Sequence, residues 1–273
     1  MKTLQNQTLL YDEDCPLCQV YTSGFIKAKM LDKNGRKHYC QLSEKEQSFV
    51  DVKRASNEIA LIDNENQTVL YGIDSLLKVI GFSFPAIERI GNLKPINFFL
   101  RKLYSFISYN RKVIIPSSIK KEIKLQCVPD FNYKYRFLFI GFATLITTFS
   151  LYNYSVLISS LPKASIAREL VIALGQIVFQ SFFLLKLDKK TILNYAGNLM
   201  AVSLMGSLLL LPILFLQAII TIPENVILGW FGITALIMFI EHFRRVKILE
   251  LPAYLCNTWV LYRIIVLLLI LNF

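Results

Sequence analysis

Acidic residues are scarce: 19 Asp and Glu stand against 30 Lys and Arg, a formal net charge of +11. Such an excess suits nucleic acid or a membrane surface, and its placement decides between them. No zinc-finger spacing and no RNA-binding signature is present, which argues against nucleic acid as a partner. Instead the bases thicken just ahead of an apolar half, at Lys94, Arg101, Lys102, Arg111, Lys112, Lys120, Lys121, Lys124, Lys134 and Arg136. That is the footprint of anionic headgroups beside a membrane span. The first fifteen residues, MKTLQNQTLLYDEDC, lack an uninterrupted apolar core and a small-residue cleavage site, so they do not read as a signal peptide. The expectation is a first domain kept in the cytosol, where paired cysteines are catalytic or metal-binding.

What is abundant is apolar. Hydrophobic residues make up 54% of the 273, and the mean hydropathy is +0.47, beyond an ordinary soluble domain. The distribution predicts a compact domain over 1–115, a basic linker over 116–136 and a membrane bundle over 137–273. Five runs near the ~20 residues a helix needs to cross a bilayer are expected: Phe137–Leu157, Glu169–Leu185, Tyr195–Ile222, Val226–Phe243 and Tyr254–Phe273. Pro212 should kink the third. Lys134 and Arg136, then Lys186, Lys189 and Lys190, then Arg244, Arg245 and Lys247 fall on one side if the N-terminus is inside. This predicts a multi-pass protein of a bacterial cytoplasmic membrane with its first domain in the cytosol and the lipid bilayer as its partner. Polar residues within the runs include Gln176, Gln180, Asn194, Asn198, Glu241, His242 and Arg263. The preferred reading is hydrogen-bonded glue between helices rather than a quinone-like pocket. Arg263 is the exception, deep enough to require a polar partner, with Glu241 the candidate counter-ion.

The chemistry lies near the start. Thr8–Tyr11 reads as a strand, Asp12-Glu13-Asp14 follows, and Cys15-Pro16-Leu17-Cys18 opens a helical pattern with Val20, Tyr21, Phe25 and Ile26 on its inner side. A CxxC between a strand and a helix is a redox signature. Pro16 suits the first helical turn, and free amide N–H groups there stabilise a thiolate. The three acids oppose it, each by about 2 kcal/mol at ~8 Å if the effective dielectric is near ~20. Further strands are expected at Lys37–Leu42, Glu58–Ile62 and Thr68–Tyr71, with Asp74 capping a helix to about Ile80. Together these make a thioredoxin-like α/β sheet ahead of an all-α bundle. An aromatic helix at Ile96–Tyr109 would pack over the sheet or lie in the headgroups.

Tyr11 to Cys18 resembles the signature of the DCC family of thiol-disulfide oxidoreductases. Asp63 to Asp74, with Tyr71, Gly72 and Asp74, and Tyr104 to Arg111 are similar to later parts of that family. The resemblance covers roughly the first 115 residues. It implies a thioredoxin-like fold, redox activity with Cys15 attacking and Cys18 resolving, and a supporting frame of Tyr11, Asp12, Asp14 and Pro16. Glu13 stands where the family often has Gly, and no proline precedes Glu58 where thioredoxins carry one. Two rival readings remain. Cys15, Cys18, His38 and Cys40 could form a Cys3His zinc set if His38 and Cys40 share a strand face, though the spacing is short for structural zinc. The domain could also be a non-enzymatic assembly or redox-sensing module. No cysteine pair lies within the spans; Cys127 falls in the linker and Cys256 begins the last run. The expected redox group is the cysteine pair alone, acting on protein or small-molecule thiols. Passing electrons outward would require a quinone or a membrane partner subunit.

Overall fold

A computed structural model describes residues 2–13, 15–117 and 130–272. Asp14, Lys120, Lys121, Lys124 and Cys127 lie outside the described residues. The chain divides into two units, Met1–Tyr135 and Arg136–Phe273.

The first unit runs β1 (Gln7–Tyr11), α1 (Pro16–Lys27), β2 (Arg36–His38), a 3-10 turn (Tyr39–Gln41), α2 (Glu44–Gln47), α3 (Val52–Asn57), β3 (Ala60–Asp63), β4 (Thr68–Tyr71), α4 (Ile73–Ser83), α5 (Pro85–Gly91) and α6 (Lys94–Ile114). The strands form one mixed sheet in the order β2-β1-β3-β4. β1 pairs parallel with β2 and antiparallel with β3, and β3 pairs antiparallel with β4. This is the thioredoxin-like arrangement. Successive side chains of a strand point to opposite faces. Leu10, Ala60 and Ile62 therefore join Tyr39, Leu42 and Val50 on one face, while Leu9 and Leu61 join Leu4, Leu31, Ile59 and Val79 on the other.

β2 stops at His38, because the buried Tyr39 turns the chain and donates its hydroxyl to the Val52 carbonyl at 2.7 Å. Cys40 therefore sits in a 3-10 turn rather than beside His38 on a strand. Val20 faces outward at 68% exposure, since the inner stripe of α1 is Cys18, Thr22 and the partly buried Tyr21, Phe25 and Ile26. The cap of α4 is Gly72, with φ of 60°, and not Asp74. Asp74 instead takes an ion pair from Arg101 at 2.7 Å. The long α6 divides its labour: Phe98, Phe99, Leu103 and Ile107 are exposed, whereas Ser108, Asn110, Arg111 and Val113 are buried.

The second unit contains α7 (Tyr133–Ser155, whose first turn begins in the first unit), α8 (Ile166–Phe182), α9 (Lys189–Gln217), α10 (Glu224–Ile248) and α11 (Tyr254–Asn272). Among the described residues, α7, α9, α10 and α11 are long and apolar enough to cross a membrane. The expected five spans become four by this standard. α8 has 17 residues, about 25 Å of helix against a ~30 Å hydrocarbon core. α9 continues through Pro212 as one helix, so the run is not two pieces.

Hydrogen bonds fix the direction of each helix. Tyr154, near the end of α7, donates to the Ile227 carbonyl at the start of α10. Arg245, near the end of α10, donates to Asn198 in the first half of α9. Tyr254 at the start of α11 donates to the Phe183 carbonyl that ends α8. One end of the bundle thus gathers Lys189, Lys190, Arg244, Arg245 and Lys247. Much of the internal polarity is interhelical glue: Gln180 accepts from both Tyr195 and Thr258, and Tyr195 also meets His242 at 3.0 Å. Glu241 is not the counter-ion of Arg263. It pairs with Arg244 at 2.7 Å and Arg245 at 2.8 Å, its neighbours one turn along.

Candidate active site

Pro16 starts α1, which makes Cys15 its N-cap residue and places Cys18 in the first turn. Cys15 holds that position through its amide, which donates to the Asp12 carbonyl at 3.2 Å, and its carbonyl, which accepts from Gln19 at 3.1 Å. Both sulfurs are therefore at the positive end of the helix. They are free thiols, buried at 1% and 4% exposure, and packed with Tyr11, Leu17 and Tyr21.

The two thiols shift each other's ionisation in opposite directions. A hydrogen bond from Cys15 to Cys18 is the main cause that lowers the Cys18 thiol to about 7, with burial opposing and the Arg111 guanidinium and the Tyr21 hydroxyl assisting. The same bond, followed by burial, raises Cys15 well above an ordinary thiol. Tyr21, pushed up mainly by burial, stays protonated and keeps its hydrogen available to the Cys18 sulfur.

The acids before the motif are handled unequally. Asp12 is buried, with Arg111 at 3.6 Å and Lys112 at 3.5 Å, so its charge is matched by two bases from α6. Arg111, itself buried, also donates to the Ser56 carbonyl at 3.2 Å. Glu13 lies toward solvent, 3.6 Å from His38 Nδ1. The Tyr11 hydroxyl meets His38 Nε2 at 3.1 Å, and the Arg36 guanidinium lies over the Tyr11 ring at 5.2 Å. A small cavity beneath the site is lined by Tyr11, Asp12, Cys18, Tyr21, Tyr39 and Arg111.

The structure thus brings Tyr11, Asp12, Cys15, Pro16 and Cys18 together, with Asp14 outside the described residues. It does not assemble Cys15, Cys18, His38 and Cys40: among the described residues, no group of three or more His, Cys, Asp or Glu side chains could hold a metal ion. Two members of the site had no role assigned from sequence. Tyr21 was read only as an apolar contact. Arg111 was visible as one of the basic cluster and as the end of a stretch resembling the family, and Tyr104, which accepts from the Ile59 amide at 2.7 Å, anchors that stretch to the sheet.

Residues 9–115 match the family model described as DCC1-like thiol-disulfide oxidoreductase. Searches of curated proteins and of solved structures find no match. The match spans less than half of the 273 residues and contains every side chain of the site just described. The chain therefore carries a DCC1-like thiol-disulfide oxidoreductase domain over residues 9–115, followed by helices with the length and composition of a membrane protein.

Proposed function

We propose that the protein is a membrane-bound thiol-disulfide oxidoreductase whose exchange chemistry runs through Cys15 and Cys18. The observation that carries this reading is a pair of free cysteines at a helix N-terminus, packed against Tyr21 and with Arg111 lining the cavity beside Cys18. In the reducing direction the Cys18 thiolate takes the Cys15 proton along their hydrogen bond, and the Cys15 sulfur attacks a target disulfide. One target sulfur leaves as a thiolate, giving a mixed disulfide. Cys18 then gives its proton to the departed target thiolate and attacks Cys15, releasing the second target sulfur as a thiolate and leaving a Cys15–Cys18 disulfide. Two electrons pass to the target, and the cycle reverses for oxidation. Cys18 suits the resolving role because it faces the inner cavity, whereas Cys15 caps the helix.

The test is mixed-disulfide trapping with a peptide disulfide and a protein disulfide. Cys18→Ser should accumulate adducts through Cys15, and Cys15→Ser should be inert. Activity that persists in both variants would refute the reading. Burial of both sulfurs favours a second reading, a redox-sensing or assembly module without turnover. Stoichiometric oxidation with no catalytic turnover would select it.

We place the domain on the cytosolic face. The chain enters the bundle at the end that gathers Lys189, Lys190, Arg244 and Lys247, and the bias of basic residues toward the inside supports that end as cytosolic. This requires α8 to cross despite its length. A reporter fused after residue 273 should be active outside, and an inside signal would reverse the assignment. Protein or small-molecule thiols are the proposed substrates, in a bacterial cytoplasmic membrane, with no redox group needed beyond the cysteine pair.

A further inference from the structure

The helical unit encloses a cavity of about 380 Å³, within the size range of ligand sites. Its wall is almost wholly apolar, and three charged residues line it: Arg168, Glu169 and Arg263. The first two neutralise each other, Arg168 donating to Glu169 at 2.6 and 2.9 Å. Hydroxyls of the wall are already engaged within the bundle, Ser207 donating to the Ser203 carbonyl at 2.9 Å, Ser203 to the Leu199 carbonyl at 3.4 Å and Tyr154 to the Ile227 carbonyl at 2.7 Å. Arg263 is different. Among the described residues it forms no ion pair and no hydrogen bond, and its guanidinium lies over the Trp259 ring at 4.9 Å. It stands halfway along α11, so water at a bilayer surface does not reach it by helix position alone.

A guanidinium in that setting calls for an anion, and the cavity around it calls for hydrocarbon. Leu267 and Ile270 follow Arg263 by one and two turns on the same helix face and line the same cavity. We propose that this cavity binds a single-chain lipid with an anionic head, a long-chain carboxylate, its head paired with Arg263 and its chain along Leu267 and Ile270. The carboxylate matches the planar fork of the guanidinium with two parallel hydrogen bonds. A neutral amphiphile or a quinone would leave the charge unbalanced, and a two-chain phospholipid would overfill a cavity of this size. This inference is independent of the thiol chemistry.

The test is equilibrium binding of tritiated palmitate to the full-length protein in nanodiscs of neutral phosphatidylcholine, with methyl palmitate and a neutral naphthoquinone as competitors. Palmitate should bind saturably, and the methyl ester should compete at least about tenfold less well. Arg263→Gln should weaken palmitate by about tenfold or more, with Arg263→Lys between it and the native protein. The acid-against-ester comparison needs no variant and so survives a failure of Arg263→Gln to insert. Absence of saturable binding, equal competition by acid and ester, unchanged binding in a folded Arg263→Gln protein, or stronger displacement by the naphthoquinone would each overturn the proposal.

Discussion

Two arginines, the buried Arg111 of the first unit and the half-buried Arg263 of the second, show how differently the two halves treat charge. Arg111 in α6 meets Asp12 at 3.6 Å and the Ser56 carbonyl at 3.2 Å, so the guanidinium is tied into the domain while its field reaches the cysteine pair. Arg263 in α11 has an aromatic face beneath it and a cavity beside it, and no carboxylate among the described residues. The first arginine is part of a balanced set, and its removal weakens the pairing of a buried acid. The second is an excess charge whose removal relieves a cost. A buried charge is therefore informative through its partner more than through its depth.

That contrast can be broken directly. Arg111→Met should destabilise the N-terminal domain by roughly 3 kcal/mol, since the buried Asp12 would lose the guanidinium beside it, and adding Asp12→Asn should recover most of the loss. Arg263→Met should cost within about 1 kcal/mol or raise stability, because no paired charge is left behind. Thermal or denaturant melts of the full chain, read at each unit, compare the two. Equal losses would dissolve the distinction.

A smaller effect comes from backbone geometry. Gly72 has φ of +60°, and a Cβ there would meet Glu58 Oε2 at 2.9 Å and the Tyr104 ring at 3.3 Å. Gly72→Ala should cost about 2 kcal/mol through the left-handed conformation and the crowding together. A melt indistinguishable from native would show that the β4–α4 junction relaxes freely.

The paired thiols give the pH dependence. The folded Cys18 thiol ionises near 7, below its ordinary 9.0, so its contribution to stability is fully present above pH 9 and fades as pH falls through 7. Cys15 is raised, so above pH 9 the unfolded chain releases a proton that the folded chain retains, and stability falls again. The dithiol form should be most stable between about pH 8 and 9, and the oxidised form should show neither limb. Tyr21→Phe, which removes the phenol hydrogen bond, should raise the Cys18 value by about one unit, equivalent to ~1.4 kcal/mol, and shift the rising limb upward. An alkylation profile unchanged by Tyr21→Phe would remove the phenol from the site. Least of all, Val20→Lys should change stability by less than about 0.5 kcal/mol, because Val20 is exposed.

How much was legible beforehand follows the range of the interactions. β1, β3, β4 and the start of α1 are local features, carried by apolar alternation and by Pro16 after Cys15, and all four lie where the residues indicated. Features decided by distant contacts were not legible. Cys40 left the strand because Tyr39 reaches Val52, and Asp74 was drawn to Arg101 rather than to its own helix. Glu241 was closer to Arg244 and Arg245 on its own helix than to any partner that hydropathy could suggest. The match of Asp12 with Arg111 and Lys112 joins the loop before α1 to the end of α6, and no local pattern announces it. Where Cys15 and Cys18 stand on the helix could be read; the direction in which each shifts the other's ionisation could not.

The most direct test of the central claim is a redox titration of the full-length protein against glutathione and dithiothreitol series, with thiol alkylation read as a mass shift. One two-electron transition confined to Cys15 and Cys18 is expected, with a midpoint between about −120 and −300 mV, the span of known exchange proteins. A pair that forms no disulfide at any poise, or that alkylates only after a chelator is added, would contradict it.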